Sequence, residues 1–333
     1  LSVSAATTWS QEKEKFLRMN SLNERAWFTL VDNDDLLEEL GITLTLSPCG
    51  ARIYDAGIQA RGSLEAGLLL AAAGTADQAV IDIQLDDGFG LPWPTVKVSS
   101  NYPFEACYLS QAAHWPVRIG NYAAMGSGPA CLLNPDLGLQ QTYEFSETSD
   151  YAVLVLETRT LPDDDVCEQL ASTCRVPNDH LALVAAPTAS LAGTVQIAAR
   201  SVETGLHKLH QLGVNLRTIR QGMGVCPIAP PGSDDLAALG TTNDMMLFAS
   251  HVWLQANGIP DHDLQEVARQ LPSSTSPSYG KPFLEILKQA GDFYQIDPGL
   301  FAPAEVTLVN AQNARVFHAG KVDSARLDQV LYG

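Results

Sequence analysis

The chain has 333 residues, 46% of them hydrophobic and 17% charged: enough apolar material for a sizeable core and too little charge for a disordered polymer. Its formal charge of −18, from 20 basic and 38 acidic side chains, argues against a nucleic-acid or anionic-membrane surface, because either partner needs a basic face. The longest apolar stretch, residues 66–73, is interrupted by Gly67 and is far shorter than the ~20 residues of a membrane helix, and Leu1–Ser10 shows no leader pattern. These features predict a soluble, cytoplasmic globular protein of about two domains.

In chain order, residues 11–40 carry helical spacing (Phe16, Leu17; Ala26, Leu30; Leu36, Leu37, Leu40) and predict two helices. Residues 43–46 and 51–56 read as short strands around a Pro48–Gly50 turn. Ser63 reads as the N-cap of a helix from Leu64 to about Ala73, stopped by Gly74. Strands are predicted at 79–85 and 95–99, separated by a Gly/Pro/Trp loop, and at 151–157. A helix then runs from about Pro162 to Thr173. Residues 181–186 form a strand of the fully buried kind, leading through Pro187, Thr188, Ala189 and Ser190 into one long helix from Leu191 to Leu212. The segment 222–232 reads as a Gly/Pro loop, 244–254 as a strand or buried helix, 282–289 as a helix, and 304–310 and 315–319 as strands. This order has no regular βαβ rhythm and no repeat, which predicts an α+β fold of two lobes, 1–175 and 176–333, with the polar stretch 162–180 at the boundary.

The segment 181–213 is the most informative chemically. A strand entering a helix through Thr188 and Ser190 presents free N–H groups and hydroxyls, the makings of an anion site; plain helix capping explains the same residues. Along the helix, Val195, Ala199, Val202, Leu206 and Leu209 form an apolar stripe, and Gln196, Arg200, Glu203, His207 and His210 a polar one beside it. Glu203 falls near the edge of the apolar face. Arg200 and Glu203, three residues apart, read either as a surface ion pair or as a carboxylate in a cleft tuned by a guanidinium. His207 and His210 have no third ligand at metal spacing and read as solvated helix residues. The six cysteines (49, 107, 131, 167, 174 and 226) show no CxxC or Cys/His cluster and read as reduced, mostly buried thiols. Met125-Gly-Ser-Gly-Pro129 reads as a tight turn where backbone can approach a ligand. No Walker lysine, dinucleotide fingerprint or nucleophile elbow is present.

The motifs taken together go further. Asp55-Ala-Gly57 with Gly62-Ser-Leu-Glu-Ala-Gly67, Ala106-Cys-Tyr-Leu-Ser-Gln111 and Met125–Pro129 resemble the methenyltetrahydromethanopterin cyclohydrolase family. Ala186–Gly193, Gln196, Ala199-Arg-Ser-Val-Glu203, Gly240-Thr-Thr-Asn-Asp244, Tyr279–Phe283 and 292–306 follow in the family's order, so the resemblance spans about residues 40–320. It implies a two-lobed α+β fold around a deep cleft, a homotrimer, and hydrolysis of the methenyl bridge to the formyl derivative in one-carbon metabolism, without metal or redox cofactor. The family's functional arginine and glutamate fall on Arg200 and Glu203. Ser127, Gly128, Thr188 and Ser190 become candidates for holding the pterin substrate and its anionic tail, with Gln196, Asn243 and Asp244 added from the matching motifs.

Two positions depart from the family pattern: Cys131 stands where an arginine is common and His114 where a glycine is expected. A thiol cannot grip an anion as a guanidinium does. The departures leave two readings, an active cyclohydrolase and a catalytically weak pterin-binding paralogue acting as carrier or regulator; Arg200 and Glu203 favour the first.

Overall fold

A computed structural model describes residues 21–86, 92–112, 114–232, 234–291 and 295–332. Its strands are β1 (Thr43–Leu46), β2 (Arg52–Asp55), β3 (Val80–Asp86), β4 (Trp93–Ser100), β5 (Trp115–Ile119), β6 (Tyr122–Ser127), β7 (Ala152–Glu157), β8 (Leu181–Ala186), β9 (Ile219–Pro227), β10 (His251–Ala256), β11 (Glu305–Asn310) and β12 (Val316–Gly320). They form two six-stranded sheets, one ordered β1-β2-β8-β7-β6-β5 and the other β12-β11-β10-β9-β4-β3. Each sheet mixes parallel and antiparallel pairs, with β2, β8 and β7 parallel in the first and β10 and β11 in the second. The α+β expectation holds.

Strand β8 is buried at every position and β7 at all but its last. Such strands must be covered on both faces, which is why they read as unbroken apolar runs instead of alternating patterns. The helix Leu22–Val31, capped by the Ser21 hydroxyl, packs on β7; the helix Leu64–Gly74, capped by Ser63 as expected, packs against the helix Leu191–Ala198. That last contact depends on Gly67, where a Cβ would overlap the Val195 side chain. Of the helices expected in 11–40, the portion before residue 21 lies outside the described residues.

A division at residue 175 falls between β7 and β8, which are hydrogen-bonded neighbours, while β3 and β4 from earlier in the chain belong to the second sheet. Each sheet is therefore discontinuous in sequence.

The predicted long helix is two helices, Leu191–Ala198 and Ser201–Gln211. The break has a tertiary cause: the Ala199 carbonyl accepts a hydrogen bond from Gln111 Nε2 at 3.2 Å. The pair leaves the end of β8 in the first sheet and lies across β9 and β10 of the second, so the break at Arg200 stands where the two sheets meet. The 222–232 segment is not a loop throughout, since strand β9 runs to Pro227. Gly222 and Gly224 serve close packing in a strand and not a loop: a side chain at Gly224 would run into Ser201, and one at Gly222 into Val202. Residues 244–254 divide between the helix Asp235–Ala249 and β10. Strands β5 and β6 were absent from the sequence reading, and Met125–Ser127, expected in a turn, closes β6; only Gly128, at φ +99°, makes the turn.

Candidate active site

Arg200 occupies the break between the two helices, in a backbone conformation (φ −89°, ψ 9°) outside the helical ladder. Its guanidinium is held from three directions. Nε and Nη2 donate to Gln196 Oε1 at 3.2 and 3.0 Å, Nη2 also to Ser127 Oγ at 2.9 Å, and Nη1 to the Gln111 carbonyl at 2.6 Å. Charge-assisted bonds of this number fix the planar fork and leave it a stationary positive charge. Three sequence candidates, Arg200, Gln196 and Ser127, are thus brought together, and Gln111, carried in the Ala106–Gln111 motif but not singled out, completes the set.

Glu203 opens the first turn of the helix Ser201–Gln211. It is half-buried and makes no hydrogen bond or ion pair with any described residue. Burial pushes its carboxyl up to about 7, and the charge of Arg200 offsets only part of that. The spacing predicts a carboxylate tuned by the Arg200 charge; in the fold desolvation is the larger influence, and the carboxyl is poised near neutrality. Glu203, His207 and His210 follow at four- and three-residue steps along one helix face. Opposite them is a wide, π-helical segment, Phe104–Ser110, of a kind often found at functional sites. Its Tyr108 ring lies 5.7 Å from His210 and 6.2 Å from His114, and its hydroxyl is 3.1 Å from that of Tyr143. Glu203 raises the Tyr108 phenol further, on top of the effects of burial and Tyr143. His210 is exposed, as read from sequence, but His207 is half-buried and burial lowers its pKa, so it is not simply solvated.

The remaining candidates lie elsewhere or are engaged. The Gly128 amide donates to the Ser110 carbonyl at 2.8 Å. Thr188 Oγ1 donates to the Glu157 carboxylate, and Ser190 Oγ accepts from the Gly193 amide at 3.0 Å as the N-cap of the helix Leu191–Ala198, so neither hydroxyl is free. An anion already sits there: Asp235 accepts from the Ala189 amide at 3.0 Å and pairs with Arg159. Asn243 Nδ2 bonds the Leu239 carbonyl and Asp244 holds the Phe283 amide at 2.8 Å, beside a separate depression lined by Gly240, Phe248, Pro282 and Arg326. Burial raises the Asp244 carboxyl to about 7. The Asp55 motif residue accepts from four consecutive backbone amides, Gly57 to Ala60, and shapes the loop that meets Ser190 at Gly57.

Five cysteines are buried and Cys49 is half-buried, all of them free thiols. Cys131 is fully buried, its thiol directed at the Gly126 carbonyl and pushed up to about 12. Among the described residues one group has metal-ligating spacing, Cys49 with Asp164 and Glu168. Asp164 there accepts from the Cys49 amide at 2.7 Å and the Cys49 thiol contacts Ser47 Oγ, a self-satisfied cluster remote in sequence from Arg200.

A titratable carboxyl poised near neutrality, near a guanidinium locked in place, has the properties that acid–base chemistry requires. The chain belongs to the cyclohydrolase (MCH) family, whose model matches residues 21–331. It is 36% identical over 311 residues to the methenyltetrahydromethanopterin cyclohydrolase of Methanococcoides burtonii, covering 92% of this chain and 96% of that protein. Proteins of the same name from Methylobacillus flagellatus (40% over 302 residues, 90% and 91% covered) and Methanocaldococcus jannaschii (37% over 320 residues, 94% and 98% covered) are similarly alike. No helix among the described residues is long and apolar enough to cross a membrane.

Proposed function

We propose that the protein hydrolyses the methenyl bridge of 5,10-methenyltetrahydromethanopterin to the 5-formyl derivative, with Glu203 as the proton-transfer group. The bridge is an amidinium cation, so its carbon is electrophilic without a Lewis acid. Water adds to that carbon and gives a proton to the Glu203 carboxylate, leaving a neutral carbinolamine. Glu203 returns the proton to the departing nitrogen, N10. As the C–N10 bond breaks, the hydroxyl becomes the formyl carbonyl and its proton leaves, so one proton is released per turnover. The observation that carries this reading is a carboxyl with no bonded partner and a pKa near 7: basic enough to take a proton, acidic enough to give it back. While ionised it also faces a cationic substrate with the opposite charge.

Arg200 is a positioning residue in this scheme. Its donors are turned to Gln196, Ser127 and Gln111, so it acts on Glu203 through its field. The chemistry asks for no metal or redox cofactor, and turnover is expected to survive a chelator. A cytoplasmic place and a homotrimer belong to the same reading. The surface that supports self-association is the outer face of the second sheet, where Val80, Ser99, Met223 and Trp253 lie in register across β3, β4, β9 and β10, with Val80 73% and Met223 54% exposed. A monomer mass by light scattering at micromolar concentration would count against it.

The direct test is the fall of methenyl absorbance when catalytic amounts of protein meet methenyltetrahydromethanopterin, with methenyltetrahydrofolate alongside. Many turnovers per chain support the hydrolase; stoichiometric binding with unchanged absorbance identifies a carrier and overturns it.

A further inference from the structure

Among the described residues, five buried side-chain polar atoms lack a hydrogen-bond partner, and three of them belong to residues that bond Arg200, follow it in the chain or feel its charge: Gln111 Oε1, Ser201 Oγ and His114 Nε2. Ser201 Oγ is pressed against Gly224 where the helix meets β9, so packing accounts for it. Gln111 and His114 are different. Gln111 is only 2% exposed; its carbonyl serves Arg200 and its Nε2 serves the Ala199 carbonyl. Because a carbonyl can only accept, the amide nitrogen must face Ala199, and Oε1 is the atom left over.

His114 carries the second orphaned atom. Its ring stands edge-on to Tyr108, with centroids 6.2 Å apart and planes at 80°. Its Nε2 is buried without a hydrogen-bond partner. A neutral imidazole carries its proton on one nitrogen, and with the proton on Nδ1 the unpartnered Nε2 presents a lone pair. Burial, His207 and Arg200 all work against a second proton on the ring. Gln111 Oε1 and, in that tautomer, His114 Nε2 are buried acceptors without a donor, and the donors of Arg200 already face protein. A polar group buried without a partner is costly, and a ligand bearing N–H groups removes that cost.

A pterin ring is such a ligand, with an amino group and ring N–H groups along its edge. We propose that His114 is a specificity-determining residue for the pterin, its Nε2 accepting a ring N–H beside Arg200, with Gln111 Oε1 as the second acceptor. The inference rests on the pterin-hydrolase reading and adds the residues that read the ring's donor edge.

The test is steady-state hydrolysis of methenyltetrahydromethanopterin by the full chain carrying H114F, which keeps a ring but no acceptor, and H114Q, which restores a carboxamide at similar reach. H114F is expected to raise KM about tenfold, the worth of one hydrogen bond, with kcat within about threefold of wild type. H114Q is expected to recover most of the loss. Where H114F does not fold, H114A takes its place with the same expectation. A wild-type KM in the acceptor-less variant, or an equal loss in both variants confined to kcat, assigns the imidazole to packing and overturns the proposal. Inactive wild-type protein would instead overturn the hydrolase reading.

Discussion

Arg200 and Glu203 stand three residues apart and do not touch. The guanidinium is bound to Gln196, Ser127 and the Gln111 carbonyl, while the Glu203 carboxyl bonds to no described residue. The helix break separates them: Arg200 precedes the first turn and Glu203 is inside it. A bonded ion pair would have driven the carboxyl pKa below its ordinary range and made it a poor base at neutral pH. A fixed charge acting at a distance moderates the effect of burial without cancelling it.

The pH profile follows from this. Only ionised Glu203 accepts a proton from water, so kcat/KM is expected to rise with pH through about 7. Arg200→Ala removes the charge that holds the pKa down, so the acid limb should move to higher pH and activity at pH 6 should fall more than at pH 8. A limb that stays in place in Arg200→Ala would separate the guanidinium from the titration of Glu203.

Stability should carry the same signature with a definite sign. The Glu203 carboxyl has an ordinary value of 4.5 and a folded value of about 7, so between those values the folded chain holds more protons than the unfolded one. Stability from this group is full below about pH 4.5 and is lost as pH rises to 7. Glu203→Gln has no such loss. Its melting temperature relative to wild type should therefore increase from pH 4.5 to 7 and then level off. A constant difference across that range would mean Glu203 titrates normally.

Packing of the two helices behind the site can be tested at Gly67. A Cβ there overlaps Val195 and comes within 2.9 Å of the Ala192 carbonyl, and backbone cannot swing aside as a side-chain tip can. Helix propensity favours alanine over glycine by about 1 kcal/mol, and overpacking typically costs about 1–3 kcal/mol. Gly67→Ala is expected to be net destabilising by about 1–2 kcal/mol in a denaturant titration. A variant as stable as wild type would place the helices farther apart.

What could be read from the sequence was what local chemistry decides. The buried run 181–186, the Ser63 and Ser190 caps and the strands near 305–310 and 316–320 emerge where apolar pattern and capping residues predict them. The helix break was not readable because its cause, the Gln111 amide, is 88 residues away. Nor was β9, since Gly222 and Gly224 look like loop residues until Val202 and Ser201 are known to press on them. The pairing of Arg200 and Glu203 was legible as a spacing, but the burial that outweighs Arg200 is a property of the assembled fold. Gln111 had one available signal, its place at the end of a matching motif, and His207 had its position one turn after Glu203.

The central claim is that Glu203 moves the proton, and one comparison tests it most directly: kcat of Glu203→Gln against wild type on methenyltetrahydromethanopterin at pH 8, with melting temperatures of both. Glutamine keeps the shape, and no bonded partner is stranded by the change, so the fold is expected to be intact. Loss of a general base typically lowers rate by about 10²–10⁴-fold, so kcat should fall at least a hundredfold. A folded Glu203→Gln protein turning over near the wild-type rate would contradict the account.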